Sequence, residues 1–369
     1  MGNKWLSSAI GLGVESLGRA VQDDLTSIVR FAIDSGVNYI DLGAAGMVDE
    51  RASRRLLVRL GRALRDGYRW KVRIAATLPW RRLGSAIESA RYVERVREWV
   101  GEGPIDFLMF GGLDRGNWPR LAKLDILPWA EEEASETKPL DRAIGHIGFS
   151  FNDDYQTLRT VLDGSDGWKV ARFRYSFMDV DHHPGVGDLG LAASRGLAVV
   201  VSEPLLRGRL IRNIPEPVAR VWTKRRRPAH WALRWVLAHR EVSTVVVDPA
   251  TAAEVVEYVA IANTTRPGSL SLADEILVSR VRDEYRKLKP VPCTACRSCL
   301  PCPIGIDVPL IFELYNEAVM YRDVTAPRAA YPEERHRAEA CDRCGACAAR
   351  CGMGIAIPDR LAEALRKLR

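Results

Sequence analysis

The first 292 residues of this 369-residue chain contain no cysteine, and all eight thiols fall in two short runs near the end. A disulfide framework across the body of the chain is thereby excluded. Long apolar stretches are also missing, and no run approaches the length of a membrane span. The N-terminus has one early lysine but no clear apolar segment or cleavage site, which reads as a cytoplasmic protein. Gly11-Leu12-Gly13 is too short for a dinucleotide fingerprint. Dense positive charge is confined to one run, Lys224-Arg225-Arg226-Arg227, which suits either an acidic electron-transfer partner or a solvated loop.

What is present is concentrated in the cysteines. The first run is Cys293, Cys296, Cys299 and Cys302, followed by Pro303; after 38 residues come Cys341, Cys344, Cys347 and Cys351. Successive thiolates at two- and three-residue spacing are carried by a looping backbone to one side, where four can meet one cubane. The second run has the spacing of bacterial ferredoxins, and the first differs only before its last cysteine. Gly352 stands where that pattern has proline. Two 4Fe-4S clusters are the expected cofactors. Zinc held by Cys-x2-Cys pairs is the rival, and disulfides would need an oxidising compartment. Each cluster with four thiolates carries −2, so the formal charge of +7 falls to about +3 and nucleic acid is not an expected partner.

Residues 1–268 read as strands alternating with helices, and 269–369 as a connecting helix plus a small, mostly helical cluster domain. The strand patterns are 9–13, 37–41, 72–77, 105–110, 144–150, 170–175, 197–202 and 242–247. Helical patterns lie at 25–35, 50–64, 86–100, 155–162, 188–195, 229–239 and 252–261. Eight strands in about 260 residues predict a closed α/β barrel, the (β/α)8 TIM barrel, rather than an open doubly wound sheet. Beyond it, 269–288, 308–321 and 358–368 are helical. So small a domain should bury no core of its own, which would leave the clusters to serve as one. Asp23 is a candidate cap for the first helix.

Gly11-Leu12-Gly13, Gly36 to Asp41, Ile147 to Ser150 and Glu203 to Gly208 together resemble the aldo/keto reductases. The chain is most similar to the subgroup with a C-terminal ferredoxin-like segment, through Gly305-Ile306 and Leu314-Tyr315-Asn316 after the first cysteine run. The resemblance implies a tyrosine acid activated by a lysine–aspartate pair, a carbonyl-orienting histidine, and hydride from NADPH. Asp41 matches the aspartate. Gly46 stands for the tyrosine, Leu78 for the lysine and Gly111 for the histidine. Arg172 replaces the residue that holds the nicotinamide amide, Ser202 the one that stacks on its ring, and Asp248-Pro249 the phosphate-binding glycine. An acid repels a diphosphate and proline lacks a donor, so NADPH is not expected.

Three functions remain open. One is an iron–sulfur electron-transfer protein with a scaffold or docking barrel, serving a redox partner protein or larger redox complex. Another is an oxidoreductase reducing a ligand at the barrel mouth with electrons from the clusters. The last is a binding module with structural zinc. His182-His183 and the pair Trp231 and Trp235 are read as loop and helix packing. By the ferredoxin rule, Cys293, Cys296 and Cys299 share a cluster with Cys351, and Cys341, Cys344 and Cys347 with Cys302. Strand alternation sends Arg172 and Arg174 into the barrel, with Phe173 and Tyr175 outward. One of the arginines is then expected to reach Asp41, or to bind an anion beside it.

Overall fold

A computed structural model describes residues 7–19, 22–43, 50–101, 103–135, 143–180, 184–222, 226–294, 296–331 and 338–369. Strands β1 (Ile10–Gly13), β2 (Tyr39–Asp41), β3 (Arg73–Leu78), β4 (Ile105–Leu113), β5 (Ile144–Phe151), β6 (Trp168–Arg174), β7 (Ala198–Ser202) and β8 (Val242–Val247) pair in parallel. They close in sequence order, with β8 against β1, as the barrel expected from the sequence.

Helices α1 (Gln22–Asp34), α2 (Glu50–Ala63) and α3 (Ala86–Val100) alternate with the early strands. The α3 start is set by Ser85, whose hydroxyl accepts from the Glu88 N–H at 3.3 Å, and Gly101 ends it at φ 109°. Helices α4 (Trp118–Leu121) and α5 (Ile126–Glu133) fill a stretch where the pattern gives none. They are too short for a 3.6-residue period to emerge, and Pro119 and Pro128 interrupt them further. Next come α6 (Tyr155–Asp163), α7 (Val186–Ser194), α8 (Glu216–Val221), α9 (Pro228–Leu237) and α10 (Ala252–Thr264).

Alternation along the strands sorts the barrel's contents. Tyr39, Ala75, Phe107, Met109, Val170 and Val246 form one buried cluster inside it. Phe173 faces outward, edge-on to Phe151, and Tyr175 lies against Trp235 and His239 of the helical layer. Trp235 thus packs, as its spacing implied.

The chain divides into two compact units, Met1–Arg207 with Ala229–Ser271, and Gly208–Pro228 with Leu272–Arg369. The second contains α8, α11 (Leu272–Lys287), α12 (Val308–Met320), α13 (Thr325–Ala329), α14 (Ala346–Ala349) and α15 (Ile357–Leu368). Arg209 joins its early segment to the later one, 2.7 Å from Glu317 and over the Tyr321 ring. Asp307 caps α12 through the Leu310 N–H, with Pro309 in the first turn where no N–H is needed. The unit has an apolar core after all: Ile306, Ile311, Phe312, Ile357 and Leu361 are buried together with Cys299 and Cys347. The expectation of a coreless domain is corrected, because α12 and α15 each turn an apolar stripe inward.

Candidate functional site

All eight cysteines are free thiols. They line two pockets in the second unit, and each pocket draws on both runs. Cys293, Cys296, Cys299 and Cys351 border one, with Phe312 and Ile355 on its apolar wall. Cys302, Cys341, Cys344 and Cys347 border another, beside Ile306 and Leu361. The last cysteine of each run has crossed to the other's pocket, as the ferredoxin rule anticipates.

Thiol chemistry bears on what can sit there. A tetrahedral zinc, with bonds of about 2.3 Å, would draw its sulfurs to about 3.8 Å of one another. A cubane takes one thiolate on each iron and leaves the sulfurs wider apart. Four thiols at each pocket are the donor set that a 4Fe-4S cluster takes.

Within the barrel, Arg172 reaches Asp41 as alternation required. Its Nη1 donates to Asp41 Oδ2 at 2.7 Å and its Nη2 to the Thr77 hydroxyl at 2.9 Å. Asp41 Oδ1 accepts from the Gly43 N–H at 2.7 Å. Both charged side chains are nearly sealed, at 13% and 5% exposure, so water does little to screen the pair. Burial works against the Arg172 charge, but the Asp41 carboxylate outweighs it and raises the guanidinium's pKa. Tyr39, two residues before Asp41, has its phenol pushed well up by burial and by that carboxylate, partly offset by Arg172. Its hydroxyl has no hydrogen-bond partner among the described residues.

The rim above is acidic. Glu203 pairs with Arg207 at 3.1 Å, and both hold positive φ (53° and 56°). Asp248 is exposed as a residue, and the protein around its carboxylate removes it from water only in part. With the fields of Glu15, Asp41 and Glu203 added, its pKa rises to about 6. A Cβ on Gly13 would run into that carboxylate.

Residues 9–267 match the aldo/keto reductase family, and residues 292–356 match the 4Fe-4S dicluster domain. The chain belongs to the aldo/keto reductase family. A Bacillus halodurans aldo-keto reductase in its holo form is similar at 19% identity and TM-score 0.58, over 74% of this chain and 91% of that one. A Klebsiella pneumoniae aldo-keto reductase in complex with NADPH is 20% identical at TM-score 0.58, over 75% and 91%. The Klebsiella pneumoniae aldo/keto reductase with NADP and acetate is 21% identical at the same TM-score, over 75% and 92%. At these identities the likeness establishes the barrel fold alone. No curated protein matches the chain.

The positions implied by the reductase resemblance can now be located. Gly46, which stands for the tyrosine, lies outside the described residues, as do His182, His183, Lys224, Arg225 and the Asp23 side chain. Leu78 is fully buried, and the β3 side chain that faces Asp41 and Arg172 is Thr77, one residue earlier. Sequence reasoning missed Thr77 because it looked to Leu78 for the lysine position and did not ask which β3 side chain alternation turns toward Asp41 and Arg172. Gly111 leaves no room for a histidine: a Cβ there would lie 2.6 Å from Thr77 Cγ2. Ser202 donates to the Phe173 carbonyl at 3.3 Å. Arg226 and Arg227 are exposed.

The Asp248 shift has a measurable consequence. Its pKa is raised in the folded state, so the native protein holds a proton that the unfolded chain gives up between pH 4 and pH 6. Stability falls as pH rises through that window, and the full penalty stands above about pH 6. Asp248→Asn should therefore match the parent at low pH and gain about 2 °C in Tm at pH 7.5, a modest figure because the rim is solvated. Thermal melts across pH 4–8 check this; equal Tm at both ends would contradict it.

Proposed function

We propose that this protein is an iron–sulfur electron-transfer member of the family, whose barrel has given up NADPH-dependent carbonyl reduction and serves as scaffold or docking domain. An aldo/keto reductase barrel joined to a 4Fe-4S dicluster domain already makes it an iron–sulfur oxidoreductase in outline. The observation that carries the finer reading is the crossed grouping of thiols around two pockets. Cys293, Cys296, Cys299 and Cys351 would hold one cluster, and Cys302, Cys341, Cys344 and Cys347 the other. Bound there, such clusters supply electrons one at a time. Phe312, Ile355 and Leu361 keep water from the apolar sides of the pockets. Residues 1–268 would form the barrel domain and 269–369 the cluster domain. Among the described residues no helix is long and apolar enough to cross a membrane. A protein redox partner or larger redox complex is the counterpart this reading calls for.

The Arg172–Asp41–Thr77 network supports loss of the nicotinamide site, because Arg172 stands at the position that would hold the amide. The acidic rim works against a diphosphate. Loss of a general acid typically costs about 10²–10⁴-fold in rate, and here its activator and the orienting histidine are replaced as well. Anaerobic assays of simple aldehydes with NADPH should give no turnover above buffer. Turnover abolished by Asp41→Asn would overturn the reading.

A second reading, reduction of a ligand at the barrel mouth with cluster electrons, is favoured by one observation. The buried Tyr39 hydroxyl has no partner among the described residues, and such a group ordinarily finds one in water or a ligand. Titration of the cluster-loaded protein with NADPH and with flavin separates the two, since a scaffold barrel binds neither.

A further inference from the structure

Arg350 lies inside the second cysteine run, one residue before Cys351. Its Nε donates to the Ala346 carbonyl at 3.1 Å, and its Nη1 to the Leu300 carbonyl at 3.2 Å. Nη2 donates to the carbonyls of Cys299 at 3.0 Å and Pro301 at 2.8 Å. Four carbonyls from two distant segments thus converge on one planar fork. Lysine, with a single nitrogen, could not reproduce that arrangement.

The partners are placed beside thiols of both pockets. Cys299 and Cys351 border the first pocket. Cys302 follows Pro301 and Cys347 follows Ala346, and both border the second. Arg350 therefore touches or adjoins two cysteines of each set. It also binds the stretch where the first run crosses from one pocket to the other, between Cys299 and Cys302. Its hydrogen bonds are all to carbonyls, which carry no net charge, so the guanidinium keeps its own; the residue is exposed, and water screens that charge on its outer side.

We propose that Arg350 is a positioning residue common to both clusters: its fork fixes the crossover, and its charge favours the reduced state of each. The proposal rests on the two-cluster reading above. Adding an electron makes a cluster more negative, so a fixed cation nearby raises the reduction potential. Electron transfer through the unit would then depend on a side chain that binds no iron.

The test compares Arg350→Gln and Arg350→Lys with the parent, all purified anaerobically, using Arg360→Gln as a control. Arg360 is an exposed guanidinium paired with Glu363 at 2.7 Å. EPR-monitored redox titration should show both clusters harder to reduce in Arg350→Gln. A tenfold fall in the reduced-to-oxidised ratio corresponds to about 59 mV for a one-electron couple. Arg350→Lys keeps the charge and should retain the parent's potentials while losing both clusters faster to a chelator. Unchanged potentials in a loaded Arg350→Gln, or the same shift in Arg360→Gln, would overturn the proposal. If Arg350→Gln fails to load, Arg350→Lys decides: joint accelerated loss of both clusters supports the shared brace, and parent-like loss or loss of one overturns it. Failure of the two-cluster reading itself would appear separately, as a parent protein lacking iron and sulfide.

Discussion

Replacing Arg172 with methionine should destabilise the barrel by about 3–5 kcal/mol, the range for removing one partner of a buried ion pair. The cause is the residue left behind. Asp41 is 4% exposed and, among the described residues, would keep only the Gly43 N–H as a donor to its carboxylate, so its charge would be stranded or neutralised. Asp41→Asn in the same chain should recover most of the loss, because the amide removes the stranded charge and Oδ1 can still accept from Gly43. The two changes are thus strongly non-additive, as expected for groups in direct contact. Urea unfolding of the parent, both singles and the double provides the cycle. A cost below about 1 kcal/mol for Arg172→Met, or no recovery in the double, would dismiss the pair as the organising feature of the barrel interior.

Cys351→Ala should halve the iron content, and pairs of substitutions should reveal which thiols share a cluster. In the crossed sets Cys351 belongs with Cys296, and Cys344 belongs to the other pocket. Cys351→Ala with Cys296→Ala strikes one site twice, so about four irons per chain should remain. Cys351→Ala with Cys344→Ala strikes both, and iron should fall close to zero. If each run closed on itself, the two double variants would exchange results. Iron analysis on anaerobic preparations therefore reads the pairing without any crystal.

Much of this was legible in the sequence for identifiable reasons. Runs such as Val72–Thr77 and Ile144–Ser150 are apolar, short and separated by helical periods, so eight of them implied a closed barrel. The cysteine spacing carried the cluster sites, because a local loop brings three thiols of each set together and the ferredoxin rule supplies the fourth from the other run. Arg172 was placed by the two-residue period of β6, since one face of that strand offers arginines and the other aromatics. Features assembled from distant parts were not legible. The acidic rim draws Glu15, Asp41, Glu203 and Asp248 from four different loops and strand ends. Arg209 meets Glu317 more than a hundred positions away, which is why residues 208–228 group with the cluster unit rather than as a plain barrel loop. Thr77 was passed over for its neighbour Leu78, although a single step along a strand exchanges its two faces.

What the eight thiols hold decides the function of the second unit. Iron, acid-labile sulfide and zinc should be measured on the anaerobically purified protein, with EPR after reduction by dithionite. The expected result is about eight irons and eight sulfides per chain, negligible zinc, and signals from two reduced clusters. About two zinc ions per chain with no sulfide would contradict it.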